Sequence, residues 1–123
     1  MASPNIVNVA NIVAKTASVI IANTSVFSIA NNASSSGQVW KINSIFLANY
    51  GASSVNTAVN LYGSAGITGT VFPMANNLTI PAGSTLVFSD KSSAFYLEED
   101  KSIGVSALTG NTISAVCSYE IIA

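Results

Sequence analysis

The chain has 123 residues, half of them apolar, and only four Lys and five Asp or Glu carry charge, 7% in all, for a net charge of −1. With no Arg, no His and its few Lys scattered, it offers no basic face for phosphate or an anionic membrane surface, and no usual general base for a Ser or Cys nucleophile. Its one Cys makes neither an internal disulfide nor a cysteine-rich metal site, so the composition points away from an enzyme, a cofactor, nucleic acid or membrane as partner.

The polar remainder is mostly Ser, Thr and Asn, 41 residues together, so uncharged hydroxyls and amides must keep the protein in solution. High hydropathy with little charge is the reverse of a disordered composition, and a near-neutral surface favours association. A folded, assembly-prone single domain is expected.

At the N-terminus, Met1-Ala2-Ser3-Pro4-Asn5 has no basic side chain before Lys15 and so lacks the first region of a secretory signal. Asn5-Ile6-Val7 is nearly repeated by Asn11-Ile12-Val13. Residues 1–15 read as an edge strand, or as an extended arm that adds a strand to a neighbouring protomer through main-chain hydrogen bonds. Ile6, Val7, Val9, Ile12 and Val13 are its candidate contact residues. Residues 16–123 read as the β domain.

Thr16 to Trp40 is uncharged for 25 residues, but its Asn and Ser content excludes a bilayer span. Strands are predicted near 17–22 and 25–30, followed by a loop from Asn31 to Gly37. The sequons at Asn23, Asn32 and Asn77 are no more than this composition produces by chance. From Gln38 to Asn49, alternation puts Trp40, Ile42, Phe46 and Ala48 on one face. The other face turns apolar at Ile45 and Leu47, so the strand is either central between two packed layers or half-covered by a neighbouring subunit, the second being favoured.

After a turn at Gly51–Ser54, Val55 to Tyr62 places Val55, Val59 and Leu61 inward and Asn56 and Asn60 outward. Tyr50 and Tyr62, near strand ends, are free to touch a subunit or a glycan. Gly63-Ser64-Ala65-Gly66 lacks the Lys and helix of a phosphate-binding loop and reads as a turn. A strand near 67–72 follows, then the Ile80-Pro81-Ala82-Gly83-Ser84 turn into Thr85–Phe88, a loop over Ser89–Ser93 and a strand near 94–97.

Glu98-Glu99-Asp100 has no further spaced ligands for calcium and reads as a solvated turn. Nothing in the sequence places Asp90 and Asp100 in a cleft as a glycosidase pair. Ser102–Ala107 aligns Ile103, Val105 and Ala107. Thr112–Ile122 aligns Ile113, Ala115, Cys117, Tyr119 and Ile121, with Cys117 read as a small core residue. Leu108-Thr109-Gly110-Asn111 is expected to join these two strands as a hairpin.

Short apolar runs broken every 8 to 12 residues by turn formers indicate an all-β fold. The expected architecture is a single antiparallel β-sandwich, jelly-roll or immunoglobulin-like, with an extended N-terminal segment and a barrel as the competing form.

Val39 to Tyr62, Ile80 to Phe88, Phe95 to Ala107 and Ile113 to Glu120 together resemble small β-sandwich virion proteins of tailed bacteriophages. Where that family has a Gly-Asp turn before the penultimate strand, this chain has Glu99-Asp100. The resemblance implies a virion structural protein, either a capsid decoration or cement protein, or a neck, tail or fibre component, and it brings no active-site residues. It implies location on the virion, as a homo-oligomer, a trimer being favoured, with the major capsid protein as partner. The residues' own pattern, apart from the resemblance, makes Ile6, Val7, Val9, Ile12, Val13, Ile45, Leu47, Tyr50 and Tyr62 the candidate subunit interface. A carbohydrate-binding or adhesin module using Tyr50 and Tyr62 is the alternative from another class.

Overall fold

Runs rich in Val, Ile, Thr and aromatic residues suit a pleated, half-buried surface, and in this chain they form nine strands among the described residues. The computed structural model describes residues 10–123. The strands are β1 (Ile12–Ile20), β2 (Phe27–Asn32), β3 (Val39–Asn49), β4 (Val55–Ser64), β5 (Thr68–Ile80), β6 (Thr85–Ser89), β7 (Phe95–Leu97), β8 (Lys101–Ala107) and β9 (Ile113–Ile122). Between β6 and β7, Lys91–Ser93 form one turn of 3-10 helix, capped by the Asp90 side chain.

Two antiparallel sheets pack face to face as a β-sandwich. One has the order β1-β9-β3-β6, with β7 continuing the β6 edge along β3, and the other has the order β2-β8-β4-β5. The winding is that of a long hairpin bent at residues 65–67. β4 pairs with β5, β3 with β6 and β7, β2 with β8 and β1 with β9. Rolling that hairpin then adds β3 beside β9 and β4 beside β8. This is the jelly-roll arrangement, and it decides between the two sandwich topologies expected.

The topology corrects one expected pairing. β8 and β9 are not hairpin partners, because β8 lies in the second sheet and β9 in the first. Leu108–Asn111 carries the chain from one sheet to the other. Both strands have one apolar face, and alternation cannot distinguish strands lying side by side from strands facing each other across a core. The expected boundary between residues 15 and 16 also falls inside β1, whose register with β9 runs unbroken from Ile12 to Ile20.

The core lies between the sheets. Ile42, Ile45 and Leu47 of β3, Val55 and Val59 of β4, Ile103 and Val105 of β8, and Ile113, Ala115 and Cys117 of β9 fill it, joined by Ile21, Ile80 and Leu97. Trp40 stacks on Tyr119 beside this cluster, with ring centroids 4.7 Å apart and planes 3° apart.

β3 buries Ile42 and then Ile45, Leu47 and Asn49, so its inward side changes phase. The cause is a bulge, seen as a register shift against β9 between Ile42 and Ser44. One extra residue reverses which side chains point inward beyond it. Ile45 and Leu47, expected at a subunit interface, are therefore fully buried in this chain's own core. Phe46 and Ala48, expected in the core, occupy the outer face and are half-buried.

Candidate interaction surface

Acid–base or metal chemistry would need charged residues close together. Among the described residues, no group of three or more His, Cys, Asp or Glu could hold a metal ion. Asp90 holds its own turn, accepting from the Ser92 hydroxyl at 2.6 Å and the Ser92 N–H at 3.0 Å. The hydroxyl and then the N–H hold its carboxyl below the usual carboxylate range. Asp100 accepts from the Ala65 N–H at 3.0 Å, and Glu99 from the Gly37 N–H at 2.7 Å. The acidic cluster is thus a turn that ties three loops together at one end of the sandwich.

The opposite end is built without charge. There the 21–26, 50–54, 81–84 and 108–112 loops meet through backbone hydrogen bonds such as Tyr50 N–H to Thr112 C=O, Gly83 N–H to Asn49 C=O and Asn111 N–H to Ile21 C=O. All four Lys and all five Asp or Glu lie outside these loops. Tyr50 and Leu108 stand exposed beside them, 54% and 68% accessible.

The outer face of the β4–β8 sheet carries a hollow of about 190 Å³ lined by Asn56, Ala58, Asn76, Asn77, Ser106 and Leu108 among others. Its polar groups are amides and hydroxyls, and the Asn56 carbonyl oxygen already accepts from the Thr79 hydroxyl at 2.6 Å. No aromatic ring and no ionisable group lines it. It has neither a nucleophile with a base nor a stacking surface for a sugar.

Large apolar side chains are the remaining surface feature. Ile12, Val13 and Ile20 are exposed on β1, Val71 and Phe72 on β5, Val87 on β6 and Tyr96 on β7. β1 and β5 are edge strands, and β6 and β7 make up a third edge. Across the outer face of the first sheet, Ser18, Val116, Phe46 and Val87 fall in one cross-strand row.

Ile6, Val7 and Val9 lie outside the described residues. Ile12, Val13 and Tyr50 are exposed on the single chain. Ile45 and Leu47 are core residues, for the reason given by the bulge. Tyr62 is also buried, only 6% accessible, and so is not free to meet a subunit or a glycan. Its ring lies over Gly104, where an added Cβ would stand 2.9 Å from Tyr62 Cε2 and 2.5 Å from Val26 Cγ1. Val26, Tyr62 and Ile67 thus roof the outer face of the second sheet where β8 has no side chain.

Comparisons with known proteins add fold alone. No family model matches the sequence, and no curated protein matches it. A solved structure from work on Bacillus endospore appendages, which form a family of disulfide-linked pili, is similar to this chain with a TM-score of 0.54 and 15% identity, over 91% of this chain and 88% of that one. That likeness is one of architecture.

Sequence reasoning passed over Ile20, Phe46, Val71, Phe72 and Val87. For Val71-Phe72 the signal was present, because two consecutive large apolar residues in an alternating strand cannot both face one core. For Phe46 no local signal existed, since its orientation depends on the bulge.

Proposed function

We propose that this chain is a structural subunit of a bacteriophage virion, a decoration or cement protein that binds the major capsid protein as a symmetric homo-oligomer and ties neighbouring capsomers together. It acts by contact and catalyses no reaction. The observation that carries this reading is the distribution of the surface. Large apolar side chains stand on sheet edges and one sheet face, on a chain with almost no charge and, among the described residues, no cluster of metal-ligating groups. Patches of that kind mark protein–protein contacts. The jelly-roll topology agrees with it, being common in capsid domains as well as in lectins.

Nonpolar contacts persist at any ionic strength, whereas charge pairs are screened. The test is to add purified protein to empty shells that lack it and to raise sodium chloride in steps. Retention through molar salt is the expected result, and failure to bind, or release at moderate salt, overturns the reading.

A fibre component is the second reading, favoured by the likeness to a pilus subunit. Covalent linking would have to differ here. The lone Cys117 is buried, and burial pushes its thiol up to about 12, which makes it a poor partner for exchange. Antibody labelling of particles in the electron microscope separates the two readings: label over the head supports the cement role, and label along a tail or fibre supports the second.

A further inference from the structure

Edge strands expose unpaired N–H and C=O groups, and folded proteins usually blunt them. Among the described residues, three of the four sheet edges are blunted. β2 is short and its register shifts between Ser28 and Ala30. β5 contains Pro73, three register shifts against β4 and two residues at positive φ, Gly69 and Asn77. β6 and β7 are short and interrupted by the 3-10 turn.

β1 is different. It runs nine residues with no Pro, no Gly and no shift of register. Asn11 and Ala123 exchange both N–H···O=C bonds, and the Ile21 N–H bonds to Ile113 C=O. The odd-numbered residues of β1 therefore spend their backbone groups on β9. Those of Ile12, Ala14, Thr16, Ser18 and Ile20 point away from the sheet.

We propose that this rail pairs antiparallel with β1 of a second copy of the chain, about a two-fold axis at Thr16. The even rail fits itself in this register. Ile12 faces Ile20 of the other copy, Ala14 faces Ser18, and Thr16 faces Thr16, each pair exchanging two main-chain bonds. Charge fixes the choice of register. Moving the axis to residue 15 sets Lys15 against Lys15, a like-charge pair that is unfavourable when directly opposed. Moving it to residue 17 sets Ile12 against residue 22, beyond the strand. With the axis at Thr16, Lys15 faces Ala17, Val13 faces Val19, and the exposed Ile12 and Ile20 cover each other.

Such a seam is isologous and two-fold, unlike the three-fold arrangement favoured from sequence. It joins two first sheets into one continuous sheet with Phe46 and Val116 on its outer face. It rests on the reading that the protein works by association, and names the partner of one edge.

The test is sedimentation velocity of the full chain over a dilution series, with Thr16→Pro beside it. The Thr16 N–H does not bond β9, so Pro there leaves the chain's own ladder intact and removes the centre of the seam. The wild type should approach twice the mass of the chain as concentration rises, and the variant should need at least about tenfold more protein to do so, the usual scale for a lost pair of buried bonds.

A second arm leaves the backbone of the seam unchanged. Val13→Cys and Val19→Cys should each remain unlinked alone and form an inter-chain disulfide when mixed under oxidation, since facing non-hydrogen-bonded pairs lie within disulfide reach. A wild type that stays monomeric, a Thr16→Pro variant that associates as readily, or Val13→Cys linking alone as fast as the mixture overturns the seam. If Thr16→Pro fails to dimerise yet decorates shells as the wild type does, the seam and the cement role both stand as separate contacts. A wild type that dimerises but never binds shells keeps the seam and removes the cement role.

Discussion

Asn32 and Asn49 occupy equivalent positions at opposite ends of the sandwich, 0% and 2% accessible, each using its amide to satisfy two backbone carbonyls of different segments. Asn32 Nδ2 donates to Gln38 C=O at 3.0 Å and Leu97 C=O at 3.1 Å. Asn49 Nδ2 donates to Ser53 C=O and Ile80 C=O, both at 2.9 Å, while its Oδ1 accepts from the Gly51 N–H at 2.9 Å. Each side chain closes its end of the core with hydrogen bonds that water would otherwise supply. Asn49→Ala leaves two carbonyls and one N–H without their partner, and should cost about 2–3 kcal/mol. Urea unfolding measures it, and a loss under about 0.5 kcal/mol would mean that water replaces the amide freely.

The phase change in β3 gives a paired expectation. Leu47→Ala empties a fully buried site and should destabilise the chain by about 2–5 kcal/mol. Phe46→Ser removes a half-buried ring from the outer face and should cost far less stability while weakening attachment to shells. Thermal melts and a shell-binding titration on both variants check this. The reverse ranking of stability would place the bulge elsewhere.

Gly104 has no room for a side chain. In Gly104→Ala the new Cβ meets Val26 Cγ1 at 2.5 Å and Tyr62 Cε2 at 2.9 Å, so the roof over β8 must lift. Overpacking of this kind costs about 1–3 kcal/mol. Gly104→Ala combined with Val26→Ala should recover part of the loss, which a double-mutant cycle in urea would detect.

Alkali should destabilise the protein through two neighbouring groups. Burial pushes Cys117 up to about 12, and burial followed by the Cys117 charge raises Tyr119. The folded chain therefore holds protons that the unfolded chain releases. The associated stability is complete below the unfolded thiol value near 9 and is lost as pH climbs toward 12. Melting temperatures between pH 8 and 11 should fall for the wild type and fall less steeply for Cys117→Ala. Parallel curves would assign the alkaline loss to other groups.

The fold class and most of the core were legible because they follow from alternation within single strands. Ile103, Val105 and Ala107 are inward as read, as are Ile113, Ala115, Cys117 and Tyr119. What was not legible depends on relations between strands. Whether Ser102–Ala107 lies beside Thr112–Ile122 or across from it is a matter of topology, and both arrangements bury the same residues. The orientation of Phe46 against Leu47 turns on one bulged residue near Asn43, in a stretch where apolar side chains fall on both faces and alternation loses its meaning. Tyr62 looked free because it sits near a strand end, but the missing side chain of Gly104, forty-two positions along the chain, makes its berth.

β9 lies between β1 and β3, so the first sheet has no continuous middle until that strand arrives. A ribosome delivers β1 and β3 long before it delivers Ile113–Ile122. During that interval both strands hold unsatisfied edges and apolar flanks, with native neighbours not yet made. Topologies that close such distant ladders fold slowly. Newly made chains should thus depend on being shielded until β9 emerges, and shortening the chain before Ile113 should leave an insoluble fragment rather than a smaller domain.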